Sequence, residues 1–270
     1  MMMFLALIPG IILAIVVWRA DKIEKEPVGL LVKLFLLGAL TIISAIVIGT
    51  IGEDHIFGFL DKESMLFIFI DNFILTAMVE EGGKYFVMKK VTWKHPAFDH
   101  TFDGVVYAVA ASLGFATLEN IIYLIDSDIS IAIVRGILSV PGHVIYAVFM
   151  GYYYGLAKYS ESLGSDRYRK INLRKAYFIP VLLHGFYDFC LSTPYDIFYL
   201  VFLVFEIVLT VIVIKRFRRM SRQDVAFYGK EQDVIYTSDT AGQQVDQTED
   251  PQLSYTGEQK SENSDSQKII

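Results

Sequence analysis

The most informative residues of this sequence are ionisable side chains embedded in apolar stretches. Glu80, Glu81 and Lys84 follow the apolar run SMLFIFIDNFILTA and are accompanied by Gly82 and Gly83. Each ionised group near the centre of a bilayer costs roughly 2.5 to 3.5 kcal/mol, so such groups usually serve a function. On a helix, Glu80 and Lys84 lie on one face, whereas Glu81 is turned about 100° away. We therefore expect Lys84 to neutralise one carboxylate and to leave the other available for chemistry.

Two histidines lie inside apolar stretches at depths similar to that of the glutamate pair. At 1.5 Å per residue, Glu80 lies roughly 15 Å from the predicted cytoplasmic end of its span, His143 roughly 20 Å and His184 roughly 10 Å. In HGFYD, Asp188 follows His184 by one helical turn and could orient its imidazole. A carboxylate beside water, with imidazoles that donate hydrogen bonds to a developing oxyanion, is sufficient for peptide hydrolysis.

A second set of polar residues is predicted nearer the outer side of the membrane. Glu119 and Asn120 lie in the outer third of one predicted span, and Arg135 lies about five residues into the next span from the same side. We expect a Glu119–Arg135 ion pair that holds two helices in register, which is a structural role. Asp103 begins a predicted helix and is expected to cap its N-terminus.

Helices that cross a membrane must position all of these residues. The chain has 270 residues, of which 54% are hydrophobic, and its mean hydropathy is +0.44. The apolar residues fall in blocks of about 20, the length that spans a hydrocarbon core of ~30 Å. The sequence thus predicts an all-α, polytopic helical bundle. Its seven predicted spans are 3–18, 28–51, 65–88, 102–125, 129–157, 177–192 and 197–214.

The distribution of charge predicts both the orientation and the domain boundary. Lysine and arginine are concentrated in alternate connections, which places the N-terminus outside and the C-terminus in the cytoplasm. Residues 221–270 contain 10 acidic and 4 basic side chains. Such a polar, acidic segment cannot bury enough apolar surface to fold alone. We therefore predict a membrane domain over 1–219 and a disordered cytoplasmic tail over 220–270.

Several other kinds of chemistry are disfavoured by the residues present. Cys190 is the only cysteine, which excludes an intrachain disulfide and a cysteine-based zinc site. The HExxH pattern of many zinc proteases is absent. We expect no cofactor, although Glu80, His143 and His184 could together bind a zinc ion.

Two other functional classes remain possible from the residues alone. Buried acids and histidines could form the relay of a proton- or ion-coupled transporter, but no internal repeat supports that function. A membrane scaffold that acts through its acidic tail is the other alternative. We expect no nucleic-acid partner.

Four motifs resemble, in order, those of the PrsW family of glutamic intramembrane proteases. They are EEGGK at 80–84, FDGVVYAVAASLGFATLEN at 102–120, RGILSVPGH at 135–143 and HGFYD at 184–188. The resemblance extends over about residues 1–215. The family is related to the CAAX prenyl endopeptidases and to bacteriocin-processing enzymes.

This resemblance implies a substrate and a set of catalytic residues. The expected reaction is site-1 cleavage of a single-pass anti-sigma factor in the cell membrane of a Gram-positive bacterium, which activates an extracytoplasmic-function sigma factor. The resemblance implies that Glu80 and Glu81 are essential and that His143 and His184 complete the site. The wider superfamily has EExxxR and FxxxH, whereas this chain has Lys84 at a shorter spacing and Ser139 in place of the phenylalanine.

Overall fold

A computed structural model describes residues 2–125 and 129–227. Over these ranges the chain is helical, and its one β-type pairing is an isolated bridge between His100 and Ala226. The helices are α1 (Met2–Ala20), α2 (Val28–Ile51), α3 (Met65–Ile70), α4 (Met78–Thr92), α5 (Asp103–Leu124), α6 (Ile129–Ile137), α7 (Ser139–Ser162), α8 (Asp166–Ser192) and α9 (Ile197–Arg222). The predicted all-α class is confirmed.

Within the described residues, four helical stretches are long and apolar enough to cross a membrane: Val28–Ile56, Asp103–Leu124, Ile133–Ser162 and Ile197–Arg222. The protein is therefore a multi-pass membrane protein, while the count of seven spans and the orientation stay predictions. Among the 18 most apolar consecutive residues of each stretch, 67% are buried in the one containing α5 and 61% in the one containing α7. The corresponding fractions are only 17% for the stretch containing α2 and 22% for the one containing α9. Thus α5 and α7 form the centre of the bundle, and α2 and α9 lie at its periphery.

Small residues allow α5 to approach α2 very closely. A Cβ atom at Gly38 would lie 2.0 Å from the Ala111 carbonyl oxygen, and one at Gly114 would lie 1.9 Å from the Phe35 carbonyl oxygen. On the other side, a Cβ at Gly151 of α7 would lie 2.3 Å from the carbonyl oxygen of Gly104. Backbone contact of this kind is how membrane helices gain packing energy without a hydrophobic driving force. It fixes α5, which carries Glu119, between α2 and α7.

The predicted span 129–157 contains two helices, α6 and α7, separated by the single residue Leu138. Hydrogen bonds from the Leu138 N–H to the Val134 carbonyl oxygen and from the Gly142 N–H to the Leu138 carbonyl oxygen keep the two helices in one continuous path. Pro141 lies in the first turn of α7, where a missing backbone N–H is tolerated; inside a continuous helix it would remove a hydrogen bond and clash with the preceding turn. The predicted span 177–192 is too short, since α8 begins at Asp166. Ion pairs of Asp166 with Arg169 and Lys170 support this polar first turn.

The helix that carries the glutamate pair contains a wider turn. Residues 65–92 form one continuous helical path, in which Asp71–Ala77 between α3 and α4 is π-helical. The Asn72 side chain lies within this turn and donates to the Ile68 carbonyl oxygen at 2.7 Å. Such π-helical turns occur frequently at functional sites.

Residues after the predicted boundary at residue 219 make contacts with the rest of the membrane domain. After α9 ends, Val225 accepts a hydrogen bond from the Thr101 N–H at 3.0 Å, and the Phe227 N–H donates to the Asp99 carbonyl oxygen at 2.7 Å. The segment up to Phe227 therefore packs on the linker before α5. The rest of the predicted acidic tail lies outside the described residues.

Candidate active site

The first two turns of α4 carry two buried carboxylates and the ammonium group that contacts them both. Glu81 and Lys84 are 0% and 1% exposed. Lys84 Nζ lies 2.8 Å from Glu81 Oε1 and 3.4 Å from Glu80 Oε2. The expectation that Lys84 would leave one carboxylate unpaired is wrong, because its flexible side chain reaches both positions. Glu80 makes the longer contact and is the less tightly held carboxylate.

His143 lies between this ammonium group and a third carboxylate. Its Nδ1 is 3.1 Å from Lys84 Nζ, and its Nε2 is 3.0 Å from Glu119 Oε2. An ammonium group can only donate, so Nδ1 must be the acceptor and the ring is neutral, with its proton on Nε2. The Nε2–H group then donates to Glu119. His143 thereby connects α4 to α5.

His184 lies between two carboxylates of different helices. Its Nδ1 is 3.0 Å from Glu81 Oε1, and its Nε2 is 3.1 Å from Asp188 Oδ2 and 3.9 Å from Glu80 Oε2. Since both nitrogens face acceptors, the arrangement favours an imidazolium ring that donates on both sides. The expected contact from Asp188 to the imidazole is formed.

The second polar set joins the same network. Arg135 Nη2 lies 2.7 Å from Glu119 Oε2, as expected, and Arg135 Nε donates to Asn120 Oδ1 at 2.9 Å. However, Glu119 also contacts His143, so the prediction of a separate outer layer is wrong. His143, near the start of α7, lies at the same level as Glu119 near the end of α5.

Aromatic rings surround the charged groups. Lys84 Nζ lies 4.0 Å from the centroid of the Phe115 ring, a favourable cation–π contact. The Tyr146 ring stacks on His184 at 5.0 Å between centroids, and the two imidazoles are 5.2 Å apart. Sequence reasoning missed both aromatic residues, although Tyr146 follows His143 by three positions and so shares its helix face.

Asp103 lies outside this cluster, and the predicted capping role is wrong. Its carboxylate accepts hydrogen bonds from the backbone N–H groups of Asp99 and His100 at 3.1 and 2.6 Å. Asp103 is itself the first residue of α5, so its side chain turns back to the preceding linker. The Asp224 carboxylate accepts from the Phe102 N–H at 2.8 Å instead.

The two glycines of EEGGK lie at helix contacts. A Cβ at Gly83 would come within 3.0 Å of Thr41 Cβ on α2, and one at Gly82 within 3.5 Å of the Tyr177 hydroxyl on α8. Gly83 therefore serves close helix packing. Helix packing alone therefore explains why this residue is a glycine, and no contact with a substrate is needed for that explanation.

Three residues of the cluster carry donor atoms that metal ions accept. One donor atom each of Glu80, His143 and His184 lies within 4.8 Å of the others. Two imidazoles and a carboxylate are a common catalytic zinc set. Lys84 Nζ contacts two of these residues, at 3.4 Å from Glu80 Oε2 and 3.1 Å from His143 Nδ1. A metal ion bound by all three residues would therefore require Lys84 to withdraw.

The chain is similar to known proteins over most of its length. A family model described as PrsW family intramembrane metalloprotease matches residues 26–214. Protease PrsW of Oceanobacillus iheyensis is 36% identical over 217 residues, which cover 80% of this chain and 94% of the relative. Protease PrsW of Bacillus subtilis is 36% identical over 185 residues, covering 68% and 79%. No solved structure matches the chain significantly. The chain therefore belongs to the PrsW family of intramembrane proteases.

Proposed function

We propose that this membrane peptidase cleaves a single-pass membrane protein by means of a water molecule that Glu80 and Glu81 activate. The observation that carries the proposal is a single buried network. It connects two adjacent carboxylates to two imidazoles on different helices, with every contact between 2.8 and 3.9 Å. These are the groups that general-base catalysis of peptide hydrolysis requires.

Glu80 is the better candidate for the general base. Its side chain is 11% exposed, against 1% for Glu81, and its contacts to charged partners are longer. Glu81 Oε2 is buried without a hydrogen-bond partner. In this proposal Glu80 removes one proton of the attacking water, while Glu81 Oε2 accepts a hydrogen bond from the other.

The charge balance of the network supports this assignment. Its carboxylates are Glu80, Glu81, Glu119 and Asp188. Its cations are Lys84, Arg135 and His184, where His184 is counted as an imidazolium ring. Among the described residues, four negative charges therefore meet three positive charges. Because an uncompensated buried charge is costly, uptake of one proton during the reaction relieves the imbalance.

The proposed steps follow from these positions. Hydroxide from the activated water attacks the carbonyl carbon, and the negative charge that develops on oxygen is stabilised by the positive charge of the His184 imidazolium ring, which Asp188 orients. Glu80 then passes its proton to the amide nitrogen as the C–N bond breaks. The carboxyl and amino products leave the enzyme without a covalent intermediate.

The reaction is proposed to need no metal ion. The Lys84 ammonium group supplies the positive charge at the centre of the cluster and holds Glu81 and His143 in place. A zinc-dependent reaction through Glu80, His143 and His184 is the alternative, favoured by the proximity of these donors. It requires Lys84 to withdraw.

The substrate is proposed from the resemblance of the four motifs to those of the PrsW family. We infer that it is an anti-sigma factor with one membrane span, cut at the first site of a regulated cascade that activates an extracytoplasmic-function sigma factor. The Bacillus-type relatives support a Gram-positive origin. The proposed orientation, with seven spans and a cytoplasmic C-terminus, would expose the basic connections to the cytoplasm.

A cleavage assay in proteoliposomes tests the reaction. Full-length enzyme is combined with a candidate single-pass substrate, and the products are identified by mass spectrometry. We expect Glu80→Gln and Glu81→Gln each to slow cleavage by about 10² to 10⁴-fold, the range of general-base catalysis. Glu63→Gln, which changes an exposed carboxylate outside the cluster, is the matched control. Full cleavage by both cluster variants would remove the proposal.

Metal analysis of the same preparation separates the two mechanisms. Glutamate catalysis predicts unchanged cleavage after treatment with a chelator, with no stoichiometric zinc in active enzyme. Loss of cleavage on chelation, restored by added zinc, would establish the metal-dependent alternative.

A further inference from the structure

A second cluster of ionisable groups lies at the end of the bundle where α1 and α4 finish. Three non-helical segments meet there: 21–27, 93–102 and 223–227. The Tyr107 hydroxyl joins the first two, because it donates to Glu26 Oε2 at 2.5 Å and contacts the Ala97 carbonyl oxygen at 3.0 Å. The hydrogen bond from the Phe227 N–H to the Asp99 carbonyl oxygen joins the third.

These segments and the first residue of α5 together carry six carboxylates: Asp21, Glu24, Glu26, Asp99, Asp103 and Asp224. Three of the six are accounted for by hydrogen bonds. Glu26 accepts a hydrogen bond from a tyrosine hydroxyl. Asp103 accepts from two backbone N–H groups. Asp224 accepts from a threonine hydroxyl and from a backbone N–H. These contacts fix the shape of the segments. The other three carboxylates are left to be explained.

Two of those carboxylates form a group with His100. Donor atoms of Glu24, Asp99 and His100 lie within 4.8 Å of one another. Asp99 Oδ1 is 2.6 Å from His100 Nδ1 and fixes the orientation of the ring. Histidines that bind metal ions commonly have a ring nitrogen held by a carboxylate in this way. Glu24 is exposed, so the group can be reached from solvent.

Asp21 provides an independent indication of a ligand. Its residue is only 1% exposed, and neither carboxylate oxygen makes a hydrogen bond. Lys25 Nζ contacts the backbone carbonyl oxygens of Asp21 and Trp18 instead of the Asp21 carboxylate. The charges that act on the Asp21 carboxylate are those of Lys25, Asp224 and His100, so it lies near the same cluster. A buried carboxylate without a donor is expensive, and a bound cation would remove the cost.

We propose that Glu24, Asp99 and His100 bind one divalent metal ion of the zinc type, with the buried Asp21 carboxylate beside them as an additional negative charge. The combination of one imidazole with carboxylate oxygens suits Zn²⁺ better than Ca²⁺ or Mg²⁺, which prefer oxygen ligands alone. The ion would tie the linker before α2 to the linker before α5. This cluster is separate from the candidate active site, because the twelve residues of α4 between Glu80 and Thr92 span about 18 Å.

Metal titration of the full-length protein tests the proposal. Protein in lipid nanodiscs is freed of metal by a chelator and titrated with Zn²⁺ by calorimetry, and its thermal unfolding is followed at each zinc concentration. We expect one Zn²⁺ to bind and to raise the unfolding temperature, since a ligand that binds only the native state stabilises it. Asp21→Asn, Glu24→Gln and His100→Gln should each weaken binding by at least about tenfold.

Two controls locate the bound ion. Asp54→Asn changes an exposed carboxylate elsewhere and should leave zinc affinity unchanged. Glu80→Gln removes one donor of the intramembrane group and should also leave it unchanged. If His100→Gln fails to fold, Glu24→Gln decides, because its side chain is exposed. The proposal is overturned if the wild type binds no Zn²⁺, or if Glu80→Gln abolishes binding that Glu24→Gln retains.

Discussion

Lys84 is the residue at which the charges of the candidate active site meet. Its ammonium group contacts Glu81, Glu80 and His143 and lies over the Phe115 ring. A lysine this deeply buried is stable only because two carboxylates compensate its charge. The same contacts orient the groups that we propose to carry out the reaction.

Replacing Lys84 by methionine should damage both stability and activity. Lys84→Met keeps most of the side-chain volume but leaves two buried carboxylates without their cation. Breaking a buried ion pair in this way typically costs about 3 to 5 kcal/mol. We expect a lower unfolding temperature in detergent and loss of substrate cleavage.

The double variant Glu81→Gln/Lys84→Met separates these two effects. Removing both charges should recover part of the lost stability, because no unpaired charge then remains at Glu81. Cleavage should stay absent, since Glu81 is needed for chemistry. Recovery of cleavage in the double variant would show that Glu81 serves only to compensate Lys84.

At the residue scale, the sequence predicted the members of the cluster better than their contacts. Helical spacing was enough to propose that Asp188 faces His184, and depth within the spans was enough to group His143 with the glutamates. The contact of Glu119 with His143 could not be predicted. It depends on how α5 and α7 pack against each other, which hydropathy does not show.

Among the helices, α5 is the element on which the site depends. Backbone contact with α2 on one side and α7 on the other leaves no room for a methyl group at several glycines. Any displacement of α5 would move Glu119, and with it His143.

Gly38→Ala should therefore destabilise the protein, whereas Gly49→Ala in the same helix should not. The added methyl group at Gly38 would overlap the Ala111 carbonyl oxygen, while a Cβ at Gly49 has no atom within 4 Å. Overpacking usually costs about 1 to 3 kcal/mol, and removal of an unneeded helix glycine gains up to ~1 kcal/mol. Thermal unfolding in nanodiscs measures both. Equal unfolding temperatures for the two variants would contradict the close α2–α5 contact.

Helix boundaries show most clearly what hydropathy can and cannot predict. Apolar blocks located both ends of α2 and α5 to within one residue. They also located the start of α9 at Ile197, but that helix continues through a basic segment to Arg222. The first turns of α8 were missed because they are polar, and local ion pairs rather than apolar burial support them. The break before Pro141 was missed because its neighbours on both sides are apolar.

At the scale of the whole molecule, the segment after α9 closes the predicted cytoplasmic end. A chain that stops after Phe227 keeps all contacts of this segment and should cleave substrate as fast as the full chain. A chain that stops after Met220 loses the hydrogen bonds to Thr101, Phe102 and Asp99. At about 1 kcal/mol for each bond, it should unfold at a lower temperature.

Cleavage rates and unfolding curves of the two truncated proteins provide the check. If the shorter chain is as stable as the longer one, the contacts of residues 223–227 contribute nothing. Loss of cleavage in the longer chain would instead favour a function that acts through the acidic tail. Composition predicts a tail from residue 220 onwards, but it could not predict that Asp224 and Phe227 contact residues more than a hundred positions away.

The π-helical turn at Asp71–Ala77 has a consequence for how this enzyme family can vary. A π turn contains one more residue than an α turn. The number of residues in this turn therefore sets the direction in which each side chain of α4 points around the helix axis. Loss of one residue there would rotate α4 by about 100° about its own axis. The glutamates would then point to lipid or to a neighbouring helix although every catalytic side chain was still present. Conservation of length in this short stretch should therefore matter as much as conservation of the acids themselves.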